Sequence, residues 1–142
     1  YLDAMEEGGL EVREDWYRLA DADYSFASGQ TAAQALLAAT PRPTAIFCVS
    51  DILALSAIAA AQELGLSVPG ELTVAGFDDL DYTTMMHPHL TTVAQPCHEM
   101  GRQSVDLLLD GLLDREEPSE QQIFLPYRLM ERESAAAPDI TA

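Results

Sequence analysis

Apolar residues in this chain gather into short unbroken runs, each ending abruptly in polar side chains. Pro43 to Val49 (PTAIFCV) and Leu72 to Phe77 (LTVAGF) are of this kind. Runs without alternation predict strands buried inside a parallel sheet. The first breaks into Ser50-Asp51 and the second into Asp78-Asp79. Leu90 to Val93 is a third extended run, stopped by Gln95-Pro96. Between the first two lies a helix from Asp51 to Leu64, closed by Gly65, with Ser50 as its natural N-cap. From Ile52 to Ala61 its only polar side chain is Ser56. A surface helix carries a polar face, so this one should be covered on both sides, by the sheet and by a partner chain. Strand, helix and strand at this spacing make a βαβ unit.

The flanking segments read less sharply. Tyr1 to Glu7 ends a helix stopped by Gly8-Gly9, and Trp16 to Leu19 is a short strand. Gln30 to Ala39 is a helix capped by Ser25 or Ser28 and closed at Thr40-Pro41. Tyr82 to Met86 has the length of one helical turn. Cys97 to Asp114 is amphipathic: Met100, Ser104, Leu107, Leu108 and Leu112 share a side, and Arg102, Gln103, Asp106 and Asp110 face away. Asp114 to Gln121 reads as a charged loop in which Glu116, Glu117 and Glu120 are solvated. Ile123 to Glu133 is extended and at a sheet edge, since Pro126 cannot donate to a ladder. The tail after Ser134 reads as disordered. The fold class is therefore α/β, a parallel sheet flanked by helices.

Composition narrows the function. The 142 residues suffice for one domain, and 48% are hydrophobic, so a core can form. The formal net charge is −17, carried by seven arginines, no lysine and a large excess of acids. Such a surface repels a phosphate backbone. Absent lysine also removes P-loop and Schiff-base chemistry. Cys48 and Cys97 match no metal-ligand spacing and suggest a reducing, cytoplasmic compartment. No run is long enough to span a membrane. No leader is visible, and the chain opens inside a helix, as a portion of a longer protein would.

Candidate chemistry follows from the strand ends. Asp78 and Asp79 could be a catalytic pair, but adjacent residues at a strand end point apart, and no nucleophile or base joins them. His87, His89 and His98 match no tight ligand spacing, so neither metal nor cofactor is expected. Tyr24, Asp51, Asp78 and Gln95 each sit just beyond a strand or crossover, where open parallel sheets hold ligands. Carboxylates and an amide there suit a ring of hydroxyls, and a tyrosine suits the apolar face of a sugar.

Several blocks, in order, closely resemble the LacI/GalR family of bacterial transcriptional regulators. They are DYSFASG, PTAIFCVSDILALSAI, ELGLSVPGELTVAGFDD, HPHLTTVAQP with EMGRQSVDLLL, and LPYRLMERES. The resemblance implies the C-terminal part of a type I periplasmic-binding-protein-like domain, which binds an effector between two lobes and dimerises. Residues 1–95 would be the C-terminal lobe, and 96–122 a crossover helix and loop of the other lobe. Residues 123–134 would be a returning strand and 135–142 a flexible tail. It places effector contacts at Tyr24, Asp51, Asp78 and Gln95, with Ser50 standing where the family has an asparagine. It places the dimer interface at Leu55 and along Tyr82 to His87, with Tyr82, Met85 and Met86. The implied partners are a sugar-like effector, a second copy, and operator DNA through a headpiece outside these residues. A sugar-transport solute-binding protein is the alternative that shares the lobe architecture.

Overall fold

The apolar helix from Asp51 explains most of the architecture. In the computed structural model, which describes residues 1–19, 23–114 and 122–137, this helix (α3, Asp51–Glu63) buries nine of its thirteen residues. Its cover comes from within the chain. One side packs on strands β1 (Ala45–Phe47) and β2 (Thr73–Asp78), and the other on helix α2 (Phe26–Leu37). No partner is needed to account for its missing polar face, which corrects the sequence expectation. The two helices approach closely because Gly29 has no side chain: a Cβ there would fall on Ser56 Oγ and lie 2.8 Å from Leu53 Cδ2. Helix α2 starts at Ser25, whose hydroxyl accepts the Ser28 N–H at 3.1 Å, so Ser25 is the cap.

Strand β3 (Thr91–Ala94) and strand β4 (Arg128–Met130) complete a four-stranded sheet of order β1-β2-β3-β4. The first three strands run parallel, with Ala45 opposite Thr73 and Ala75 opposite Thr91. The fourth is antiparallel, Thr92 facing Met130. The sheet is thus parallel with an antiparallel edge, and the expected edge strand shrinks to three residues. Ile46, Leu72, Val74 and Leu90 turn inward beneath α3 and form the core with its alanines. Phe47 and Val49 point to the other face and are exposed, so the Pro43–Val49 run is buried on one side only. Fully burying a leucine such as Leu72 or Leu90 stabilises by about 1.5–3 kcal/mol.

The chain ends of the described structure differ most from expectation. Helix α1 (Leu2–Glu7) forms as expected, but Glu14–Trp16 is a 3-10 turn and no strand forms over the expected Trp16–Leu19. The Trp16 indole N–H donates to the Pro41 carbonyl at 2.9 Å and the Arg13 guanidinium lies over its ring, so side-chain contacts and not a ladder hold it. Ser134 is fully buried: its hydroxyl donates to the Val74 carbonyl and accepts the Thr91 N–H, and its carbonyl accepts the Val74 N–H. Ala136 then exchanges bonds with Thr73 Oγ1. Helix α4 (Cys97–Asp114) forms as expected, with Met100, Val105, Leu108 and Leu109 exposed. Residues 115–121 and 138–142, which hold most of the charged loop and the end of the tail, lie outside the described residues.

Candidate effector site

Strands β1, β2 and β3 end on one edge of the sheet, and the chemistry gathers there. Strand β2 runs into Asp78 and Asp79 with φ of 121° and 58°, a left-handed pair of non-glycine residues. Each such residue costs on the order of 1–3 kcal/mol and persists only where its surroundings hold it. The two carboxylates diverge. Asp78 Oδ1 accepts from Gln95 Nε2 at 2.6 Å, which joins the ends of β2 and β3. Asp79 turns to Arg132, whose Nη2 lies 2.5 Å from its Oδ1. The same guanidinium donates to Thr83 Oγ1 at 3.0 Å and to the Leu90 carbonyl at 2.8 Å. Arg132 therefore clamps the acidic loop to β3 and β4. Sequence reasoning gave Arg132 no role, because its partners lie 42 to 53 residues away.

Asp51 is placed differently from the expectation of a rim residue. It is 0% exposed, and both oxygens are engaged inside: Oδ2 accepts the Leu80 N–H at 2.9 Å and Oδ1 accepts from Thr92 Oγ1 at 2.5 Å. Burial pushes its carboxyl up; the Thr92 and Leu80 bonds oppose that, and the charges of Asp78 and Asp79 add to it. Gly76 makes the room, since a Cβ there would sit 2.6 Å from Asp51 Oδ1. Asp51 thus positions the loop from behind. Ser50 occupies the N-cap with extended backbone, but its hydroxyl makes no cap bond. That oxygen is buried without a hydrogen-bond partner among the described residues.

Around the diverging carboxylates is an open cleft of about 560 Å³, bordered by Asp78, Asp79, Asp81, Gln95 and Cys97 to Glu99 at the start of α4. A second hollow of about 420 Å³ shares Gln95 and Pro96 with it. Its walls are apolar: Phe77, Val93, Met100, Phe124 and Tyr127. Phe77 and Val93 are direct cross-strand neighbours. Acceptors on one side and aromatic surface on the other suit a polyhydroxylated ring.

The expected set is only partly brought together. Asp78 and Gln95 touch, while Ser50 and Asp51 lie beneath them and line neither hollow. Tyr24 is exposed at φ 46°, just before the cap of α2, and lines neither hollow. Of the expected interface residues, Leu55 is 4% exposed and belongs to the core. Tyr82 is half-buried against that core, within the 3-10 turn Asp81–Thr84. Its phenol is pushed up by burial first, then by Asp51 and Asp78. Met85 and Met86 are exposed, Met85 at 73%.

Comparison with known proteins fits this geometry. Residues 1–135 match the model of the periplasmic binding protein-like domain. The HTH-type transcriptional repressor PurR of Escherichia fergusonii is 42% identical over 137 residues, covering 96% of this chain and 39% of that protein. PurR of Serratia proteamaculans is 40% identical over 136 residues, with the same coverage. The chain therefore spans about two fifths of the length of these relatives. Among solved structures, the transcriptional regulator CelR in complex with cellobiose aligns at TM-score 0.86 with 31% identity, over 95% of this chain and 40% of that one. A LacI family regulator from Mycobacterium smegmatis aligns at TM-score 0.87 with 28% identity, over 97% and 51%. The chain belongs to the periplasmic binding protein-like family, in its LacI/GalR branch, and corresponds to the C-terminal portion of the effector-binding region.

Proposed function

We propose that this chain is the effector-sensing and dimerising portion of a cytoplasmic LacI-type transcriptional regulator, and that its effector is a sugar-like small molecule. The observation that carries the reading is the Asp78–Gln95 pair at the carboxyl edge of the sheet, with Asp78 in left-handed backbone, beside an apolar wall. Asp78 accepts from effector hydroxyls, Gln95 donates and accepts, and Phe77, Val93 and Tyr127 cover the ring's apolar face. Tyr24 closes over the bound molecule from the α2 side. In this assignment residues 1–95 form one lobe, residues 123–134 its returning strand, and residues 96–122 belong to the other lobe.

An effector that makes different contacts in two lobe arrangements shifts the equilibrium between them. Coupled through a dimer, that shift changes the spacing of DNA-reading headpieces. Operator contact belongs to such a headpiece, because a surface of net charge −17 without lysine offers little to phosphates. Met85 and Met86, exposed beside half-buried Tyr82, supply the surface for the second copy. The function is binding and not catalysis: Asp78 and Asp79 diverge to Gln95 and Arg132 and share no reacting point. The repressor names of the relatives favour this reading over a transport solute-binding protein. Among the described residues, no helix is long and apolar enough to cross a membrane.

The test is thermal-shift screening of the full-length protein against mono- and disaccharides. A saturable rise in Tm with at least one sugar is expected, because binding to the native state alone stabilises it. Failure of every sugar, with another metabolite class raising Tm, would overturn the sugar assignment.

A further inference from the structure

The chain has three histidines, and two of them, His87 and His89, meet one carboxylate from 46 and 44 residues further along the chain. His87 and His89 flank Pro88 ahead of β3, and Glu133 follows β4. His87 Nδ1 lies 3.0 Å from Glu133 Oε2, and His89 Nδ1 lies 3.8 Å from Oε1. The backbone N–H of His89 donates to Oε2 at 3.0 Å, which fixes the carboxylate's bearing. The two imidazoles stack with centroids 4.3 Å apart. One ligand atom from each of the three side chains lies within 4.8 Å of the others.

The backbone that carries these side chains is tied together by hydrogen bonds. Buried Ser134 donates its N–H to the His89 carbonyl, so the residues next to Glu133 are bonded to the turn that carries the imidazoles. The Arg132 N–H donates to Thr91 Oγ1 at 2.8 Å, adding a second tie across the same strands.

We propose that His87, His89 and Glu133 form a binding site for one divalent transition-metal ion of the zinc and nickel class, with the remaining coordination open to solvent. Imidazole donors favour these ions over magnesium or calcium, which prefer all-oxygen shells. Ligands about 2 Å from a tetrahedral zinc sit roughly 3.3 Å apart, and the 3.0 and 3.8 Å imidazole–carboxylate separations bracket that spacing. Bound metal would staple the turn before β3 to the end of β4. The site is separate from the cleft at Asp78 and does not depend on the effector reading.

The test is calorimetric titration of the full-length protein, free of any polyhistidine tag, with zinc chloride and nickel chloride. About one equivalent of each should bind, and excess magnesium should not compete. His89→Ala and Glu133→Gln should each weaken zinc binding by about tenfold or more, since losing even an outer-shell partner costs about 10–100-fold. His87→Ala, which removes a largely exposed side chain, should do the same without unfolding the protein. His98→Ala, on α4, should leave affinity unchanged. Circular dichroism checks that each variant is folded. Equal zinc affinity in wild type and the folded His87→Ala/His89→Ala variant would overturn the site, as would a loss of binding in His98→Ala.

Discussion

Gly76 and Asp51 show how closely single residues set this rim. A glycine within a strand normally weakens it. Here the missing Cβ is replaced by a carboxylate: a side chain at Gly76 would lie 2.6 Å from Asp51 Oδ1, 3.0 Å from Leu90 Cδ2 and 3.2 Å from Ala54 Cβ. Gly76→Ala should therefore destabilise by about 1–3 kcal/mol, as overpacking does, read from the urea midpoint. An unchanged midpoint would mean that the carboxylate lies elsewhere. The buried acid also has a pH signature. Its folded pKa is raised, so the native state holds the proton more tightly than the unfolded chain, which releases it near pH 4. Stability should then fall as pH rises from about 4 through the raised folded value, and level off above it. Asp51→Asn should remove that component of the slope, and the same pH profile in variant and wild type would contradict this. The sequence marked Asp51 as the acid opening a helix, and that much was legible. Its inward turn was not, because its partners Leu80 and Thr92 come from 29 and 41 residues away.

Among elements, those with a strong local pattern were the legible ones. The helix at Asp51, the strand at Leu72 and the helix at Cys97 stand within a residue or two of the boundaries that apolar runs and breakers imply. What local pattern could not convey was which surface covers which. The apolar helix implied a partner chain, and α2 of the same chain supplies the cover, with Gly29 allowing the contact. The ties across the sheet were equally hidden, since Ser134 and Arg132 act on residues more than 40 positions away. Arg132 makes a prediction at this scale. Its removal leaves the half-buried Asp79 carboxylate without its cation and frees the loop from β3. Arg132→Leu should lower stability by about 1.5–3 kcal/mol in urea unfolding, less than a fully buried pair would cost. Asp79→Asn in the same background should recover part of the loss. If the two changes simply add, the pair is not a clamp.

At the scale of the molecule, the sheet has two unlike faces. One is closed by α3 and α2, and the other carries exposed Phe47 and Val49. Helix α4 likewise displays Val105, Leu108 and Leu109. In the proposed lobe assignment such surfaces would meet the rest of the protein, since the chain spans about two fifths of the length of its relatives. The proposed dimer surface is smaller than the sequence implied, since Leu55 is in the core and Met85 and Met86 remain outside. Met85→Glu with Met86→Glu should place two charges in that surface and shift the full-length protein from dimer to monomer by light scattering, with its Tm nearly unchanged. A dimer that survives both changes would put the interface elsewhere.

The claim on which the functional reading rests is that Asp78 meets the effector. It is tested most directly by calorimetric titration of the full-length protein with the sugar that raises its Tm, in wild type and in Asp78→Ala. A hydrogen bond from ligand to carboxylate contributes about 1.5–3 kcal/mol. The variant should bind roughly ten- to a hundredfold more weakly. Its unfolding midpoint should change little, because among the described residues the Asp78 side chain bonds only Gln95, at the open edge of the sheet. Equal affinity in the two proteins would remove Asp78 from the site and contradict the account.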